Sequence, residues 1–257
     1  MATGTPTGID IIPQRFVRSL GETSDDFAKA VQQLNPIAYY AMNSAGDGTT
    51  LVDAVINGHN GHIMIKLGRS VFEAGRNSGM SFSLGGPEAS VYSYVPNFPK
   101  AQDEKITVAA WVMANRRPRW ATIVKNWSKE RDHNEGGQFH FGLFGDEGDL
   151  EVHVHNRHNQ EVQLRENVPL PLGQWHFVAF TMDGTTLRLY RNGNEIASAA
   201  CDGLSQFAPS ALGVGVKLDG SDVNPQARTG GFWDGRLDDL VIFHRALTAE
   251  QLKILHR

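Results

Sequence analysis

The stretch GQWHFVAFTMDGTTLRLYRNGNEIASA, residues 173–199, constrains the fold more than any other part of the chain. Its apolar runs, His176 to Met182, Leu187 to Tyr190 and Glu195 to Ala199, are separated by Asp183-Gly184 and Asn192-Gly193. Glycine reaches positive φ without steric cost, and Asp-Gly or Asn-Gly between alternating residues is the strongest short hairpin signal. A chain that reverses twice in so short a span builds antiparallel sheet. Trp175, Phe177 and Ala179 alternate with His176, Val178 and Phe180, so both faces of that strand carry bulk. A central strand of a layered structure has that property.

The same grammar runs from Ile37 to the C-terminus: KITVAAWVMA, ATIVKNW, QFHFGLF, LEVHVHN, ALGVGV and GRLDDLVIFHRAL are all short, strand-like and punctuated by turn residues. In QFHFGLF, Phe139, Phe141 and Leu143 alternate with His140, Gly142 and Phe144, which leaves one face buried and the other partly solvated. The 27 glycines in 257 residues suit many tight turns better than long helices. These signals predict an all-β fold: a two-sheet antiparallel jelly-roll sandwich with five to seven strands per sheet. Helix is expected only at two places. SDDFAKAVQQL (24–34) repeats Phe27, Val31 and Leu34 at helical spacing, and TAEQLKILHR opens with Thr248 and Gln251 as a capping box. The expected organisation is a lead-in over 1–36 with a short N-terminal helix, then one jelly-roll domain over 37–257.

A formal charge of −4 with acids and bases interspersed provides no basic stripe, which sets nucleic acid aside as a partner. The single cysteine, Cys201, has no internal partner for a disulfide or a zinc site. MATGTPTGID lacks the basic and apolar regions of an export signal, and no run of 18 apolar residues occurs. Membrane attachment is therefore expected only through parts absent from this chain.

PLPLGQWHFVAFTMDGTTLRLYRNGNEIAS (169–198) and GRLDDLVIFHRALTAEQLKIL (235–255) resemble the two hallmark segments of LamG-like, concanavalin A-type lectin/glucanase jelly rolls. The segments at 39–63, 80–86 and 105–114 fall in that family's order. The lead-in PQRFVRSLGETSDDFAKAVQQLNPIAYYAM is similar to the one that precedes such domains in FecR-type bacterial envelope proteins. The resemblance implies a non-catalytic binding or adhesion module, foremost for carbohydrate, on the extracytoplasmic side of a bacterial envelope (periplasm or cell surface). An envelope or extracellular protein is the other partner it implies. A FecR-type sensor domain that binds protein, or a glycan hydrolase or lyase, is the alternative.

Three constellations are candidates for chemistry. DAVINGHNG (53–61) offers Asp53, Asn57 and Asn60 on a glycine-rich turn, the kind of oxygen-rich loop that holds Ca2+. In the resembling family such a turn lies beside the aspartate that matches Asp238, so a structural calcium ion on Asp53, Asn57, Asn60 and Asp238 is one expectation. Simple Asx-turns at 53–60 with Asp238 capping amides is the other, and Ala54, Val55 and Ile56 remove possible ligands. Trp127 and Trp233, in long polar loops, are candidate sugar-stacking platforms, or else rim residues of the sandwich. Glu151, His153 and His155 share one face of a strand while Val152 and Val154 take the other. That row suits a sugar or a Zn2+ or Cu2+ ion, although most such rows are merely solvated; His140 would join it if the register allowed. No strand carries the two close carboxylates that retaining glycosidases need, so no catalytic residue is assigned.

Overall fold

The hairpins read from 173–199 are present in the computed structural model, which describes residues 26–43, 47–55, 58–65, 71–76, 79–126, 137–206 and 208–257. Asn192 and Gly193 both take positive φ (51° and 76°) in the two-residue turn. At the other turn Gly184 has φ 98°, and Asp183 Oδ1 accepts the amides of Thr185 and Thr186 at 3.0 and 2.9 Å.

The elements in chain order are α1 (Asp26–Gln33), β1 (Ala38–Tyr40), β2 (Thr50–Leu51), β3 (Gly61–Met64), β4 (Phe72–Ala74), β5 (Met80–Gly85), α2 (Gly86–Ala89), β6 (Tyr92–Phe98), β7 (Ile106–Ala114) and β8 (Thr122–Lys125). They continue with β9 (Phe139–Phe144), β10 (Asp149–His155), β11 (Glu161–Pro169), β12 (His176–Met182), β13 (Thr186–Arg191), β14 (Asn194–Ala200), β15 (Ser210–Val214), β16 (Asp234–Phe243) and α3 (Ala249–His256). The first sheet runs β14-β13-β12-β7-β16-β5-β4, with β1 also paired to β16. The second runs β11-β10-β9-β8-β15-β6-β3-β2. Among the described residues each sheet has eight strands rather than five to seven. The difference lies in β2, β3 and β4, which are too short to show an alternating pattern. The four-residue α2 is likewise a helix that the periodicity did not reveal.

The sheets face each other across one apolar cluster. Phe180 of β12 meets Phe139 and Phe141 of β9 at ring-centroid distances of 5.2 and 5.3 Å. Val112, Leu237 and Ile242 from the first sheet and Val152, Val154 and Val214 from the second join them, all fully buried. Burying each such side chain contributes roughly 1.5–3 kcal/mol.

A second apolar cluster covers the outer face of the first sheet. Phe27 and Val31 of α1 and Leu252 and Leu255 of α3 pack on Phe177, Ala179, Ala109, Val241 and Phe243. This explains why β12 is apolar on both faces. α3 starts with the expected box: Thr248 Oγ1 accepts the Gln251 amide at 3.2 Å, and Gln251 Oε1 accepts the Thr248 amide at 2.9 Å. α1 covers most of the span expected at 24–34; Ser24 and Asp25 lie outside the described residues.

Candidate functional site

The outer face of the second sheet has a different composition. Pairing aligns His153 of β10 with His140 of β9 and Gln163 of β11, and His140 with Lys125 of β8. Val152 and Val154 turn into the core as expected, so Glu151, His153 and His155 share the outer face. Gly142 occupies the same face, and a Cβ there would lie 2.2 Å from the Ala121 carbonyl oxygen, so only glycine lets β8 approach β9 this closely. From the loop after β15, Val216, Leu218 and Phe232 pack on Tyr92 and Ala211 and cover the neighbouring part of the face.

Although these polar groups are on the outside of the sheet, several are shielded from water. Glu151 is 0% exposed, His140 3% and Lys125 4%. Burial raises the Glu151 carboxyl above its ordinary pKa, against the hydrogen bond from Gln163 Nε2 at 2.6 Å and the nearby cations Lys217 and Arg165. Burial also holds His140 and Lys125 well below their ordinary values, and Lys217 and Lys125 add mutual repulsion. His140 Nδ1 stands 3.2 Å from Glu151 Oε1, and its Nε2 is 3.1 Å from Thr122 Oγ1. All three groups are thus pushed toward their neutral forms.

An aromatic and cationic row borders this patch. Trp120 and Phe144 meet edge to face at 5.0 Å, Lys217 Nζ lies 5.0 Å from the Trp120 ring centroid, and the Arg165 guanidinium lies 4.5 Å over Phe144. Burial lowers Lys217 to about 8. Both rings are half-buried. Trp120, Lys217 and Arg165 were not singled out from the sequence. The only local signal was RRPRW ahead of a strand, and the meeting of residues 120, 144, 165 and 217 depends on register.

The other candidates are placed as follows. Trp233 is corrected from exposed platform to core: it is 0% exposed and belongs to the cluster between the sheets. Its neighbour Asp234 begins β16, so the chain has already entered the sheet at this point. Trp127 and Asn57 lie outside the described residues.

At the 53–60 turn, Asp53 Oδ1 accepts the amides of Tyr39 and Val55 at 2.9 and 3.0 Å, and Oδ2 accepts the His59 amide at 3.3 Å. Asn60 Oδ1 accepts the Asp53 amide at 2.9 Å. Burial raises the Asp53 carboxyl and these amide bonds oppose the shift. Asp238 stands 4.0 Å from the Arg76 Nε, and its neighbour Asp239 accepts from Arg76 Nη2 at 2.9 Å and from the Tyr39 hydroxyl at 2.6 Å. Arg76 also lies over the Trp111 ring at 3.8 Å. Positive groups, amide N–H and guanidinium, therefore face these carboxylates. Among the described residues the arrangement organises a turn and a strand bulge, and Asn57, the fourth residue of the expected calcium set, lies outside them.

Comparison with known proteins agrees with the fold. The fourth domain of AbnA, an extracellular GH43 arabinanase from Geobacillus stearothermophilus solved with arabinotriose, superposes with TM-score 0.66 at 20% identity, covering 87% of this chain and 98% of that one. The binding domain of Paraclostridial Mosquitocidal Protein 1 gives TM-score 0.59 at 17% identity over 87% of this chain and 52% of its own. The binding domain of botulinum neurotoxin DC, in complex with SialylT, gives 0.55 at 14% over 86% and 50%. This chain thus spans about half the length of either toxin domain. No curated protein matches the sequence. The profile of the concanavalin A-like lectin/glucanases superfamily matches residues 84–253, from the end of β5 into α3, and the chain belongs to that superfamily.

Proposed function

We propose that this domain is a non-catalytic carbohydrate-binding module that works on the extracytoplasmic side of a bacterial envelope. The observation that carries the reading is the row Lys217–Trp120–Phe144–Arg165 beside the outer face of β8 to β11. Sugar recognition needs an aromatic surface for the C–H faces of the ring and directional polar groups for its hydroxyls. Half-buried Trp120 and Phe144 supply the first, and Gln163, Arg165 and Lys217 the second. The similar domains solved with arabinotriose or SialylT support the reading by analogy of fold.

A glycosidase reading has less support. The carboxylates that β10 and β11 present on this face are Asp149 and Glu151, two apart on β10 where the sequence led us to expect no such pair, and Glu161, opposite His155. Glu161 is four strand residues from the Glu151 position, about 13 Å at the usual rise. The closer pair, Asp149 and Glu151, is shielded from solvent at 5% and 0% exposed, so a substrate reaches neither. Retaining chemistry places its carboxyl groups about 5–5.5 Å apart and inverting chemistry about 6.5–9.5 Å.

A glycan array probed with the purified chain tests the proposal. Binding to a defined glycan set is expected, with Trp120→Ala weakening it about thirtyfold, the consequence of losing about 2 kcal/mol at a hot-spot aromatic. Failure to bind any glycan, or unchanged binding by a folded Trp120→Ala variant, would overturn it.

A further inference from the structure

We propose that His153, His155 and Glu161 form a binding site for one divalent transition-metal ion, zinc foremost. The site is independent of the glycan reading and uses the edge of the same sheet. His153 and His155 are two apart on β10, and Glu161 opens β11 directly opposite His155. The carboxylate reaches between the two imidazoles: Oε2 is 3.4 Å from His153 Nε2 and Oε1 is 3.9 Å from His155 Nε2. One donor atom from each residue lies within 4.8 Å of the other two. A tetrahedral ion with ligands at 2.0–2.1 Å spaces its donors about 3.3 Å apart, so the three need only a small contraction to meet a metal.

A further feature favours an ion here over a plain ion pair. His155 Nδ1 lies 3.1 Å from the Gly137 carbonyl, which can only accept, so Nδ1 carries the hydrogen. In the neutral ring this leaves the Nε2 lone pair toward Glu161. A histidine oriented through its other nitrogen by a carbonyl is the usual support of a metal-bound imidazole. The neighbouring Glu151 is engaged by Gln163 and stands beside His140, which is why the third donor is Glu161 and not the strand's own glutamate.

Two imidazoles and one carboxylate select zinc, copper, nickel or cobalt over calcium and magnesium, which prefer all-oxygen sets. His153 and Glu161 are only partly covered (20% and 41% exposed), so solvent can reach the ion. Further coordination positions fall to water or to an oxygen of a bound molecule. A bound ion would also tie the edge strand β11 to β10.

Untagged chain, stripped with EDTA and dialysed, is titrated with zinc chloride by calorimetry. One equivalent should bind and raise the melting temperature, while calcium chloride does neither. Glu161→Gln and His153→Gln should each weaken zinc at least about tenfold, since even losing a supporting partner of a ligand costs about 10–100-fold. His62→Gln, on the distant strand β3, should leave binding unchanged. Circular dichroism checks that the variants fold. Should one fail to, the imidazole NMR resonances of the unmodified chain decide instead, with those of His153 and His155 shifting on zinc addition and the other histidines still. No saturable binding, binding indifferent to both substitutions, or shifts at other histidines alone would overturn the site.

Discussion

On the outer face of the first sheet, β7, β12 and β16 present Trp111, Phe177 and Val241, which lie under α1 and α3. On the outer face of the second, β8, β9 and β10 present Lys125, His140, Glu151 and His153. Apolar burial is favourable without any partner, whereas a buried polar group is tolerated only when hydrogen-bonded or neutralised. The first sheet is therefore a scaffold closed on both sides. The second keeps a face whose burial opposes stability, and a patch of desolvated titratable groups is where binding chemistry is expected.

The largest test of this contrast is a pair of truncations. Phe177→Ala empties the space against Phe27 and Trp111, whose rings lie 6.5 and 5.5 Å away, and should cost about 3–5 kcal/mol in chemical denaturation. His153→Ala should cost less than about 1 kcal/mol and act on ligand or metal binding instead. Equal costs would erase the distinction between scaffold and binding face.

A smaller effect comes from a lysine under the second sheet. Lys100 is 1% exposed, donates to the Asn126 carbonyl and, at 2.7 Å, to Ser210 Oγ, and is lowered by burial to about 7. An unfolded lysine titrates near 10.4. Between these values the unfolded chain binds the extra proton, so stability should rise with pH from about 7 to 10 and be lowest below 7. Lys217, at about 8, acts in the same direction. Lys100→Met should flatten the slope by on the order of 2–4 kcal/mol between pH 6.5 and 9.5, measured by urea titration at each pH. A wild-type profile that is flat across this range would show that the lysine is solvated.

The contrast between the sheets was only half legible in the sequence. The two-faced apolar pattern around Phe177 announced a central strand with cover on both sides, and Thr248 with Gln251 announced the helix that supplies part of it. Local spacing carries such information because hairpins, caps and amphipathic strands are local. The second sheet's outer face depends on register between strands distant in sequence. His140 was visible as a candidate yet could not be aligned with His153, and Glu161 follows the polar run NRHNQ, which carries no strand pattern to place it opposite His155. Trp233 misled because its neighbours, GSDVNPQARTGGF, are turn-like up to the residue before β16 begins.

A finer probe is Glu151→Gln, which removes a buried charge and keeps the shape. Gln163 Nε2 can still donate to the new amide oxygen, and the amide NH2 can face His140 Nδ1, 3.2 Å from the present oxygen. Because the folded-state pKa of Glu151 is raised, its ionisation opposes folding above that pKa and the opposition fades as pH falls. The variant should thus be equal to or slightly more stable than wild type at pH 8, by less than about 1 kcal/mol, with the difference narrowing in acid. A loss of several kcal/mol at pH 8 would mean that the charge itself holds the face together.

The smallest expected effect is that of calcium, and it separates the two sheets most sharply. A cation held at Asp53 and Asp238 would stabilise the chain by about 2.7 kcal/mol at a hundredfold excess over its dissociation constant. The oxygens of Asp53 instead accept three backbone amides, from Tyr39, Val55 and His59, and Asp238 faces Arg76. Calcium should leave the melting temperature where EDTA leaves it. Asp53→Asn, which turns one acceptor into a donor facing an amide, should cost about 1 kcal/mol equally in both conditions. If calcium raises the melting temperature and the cost of Asp53→Asn disappears in EDTA, the turn at 53–60 holds an ion. The loops beside the first sheet would then share in the binding chemistry assigned above to the second.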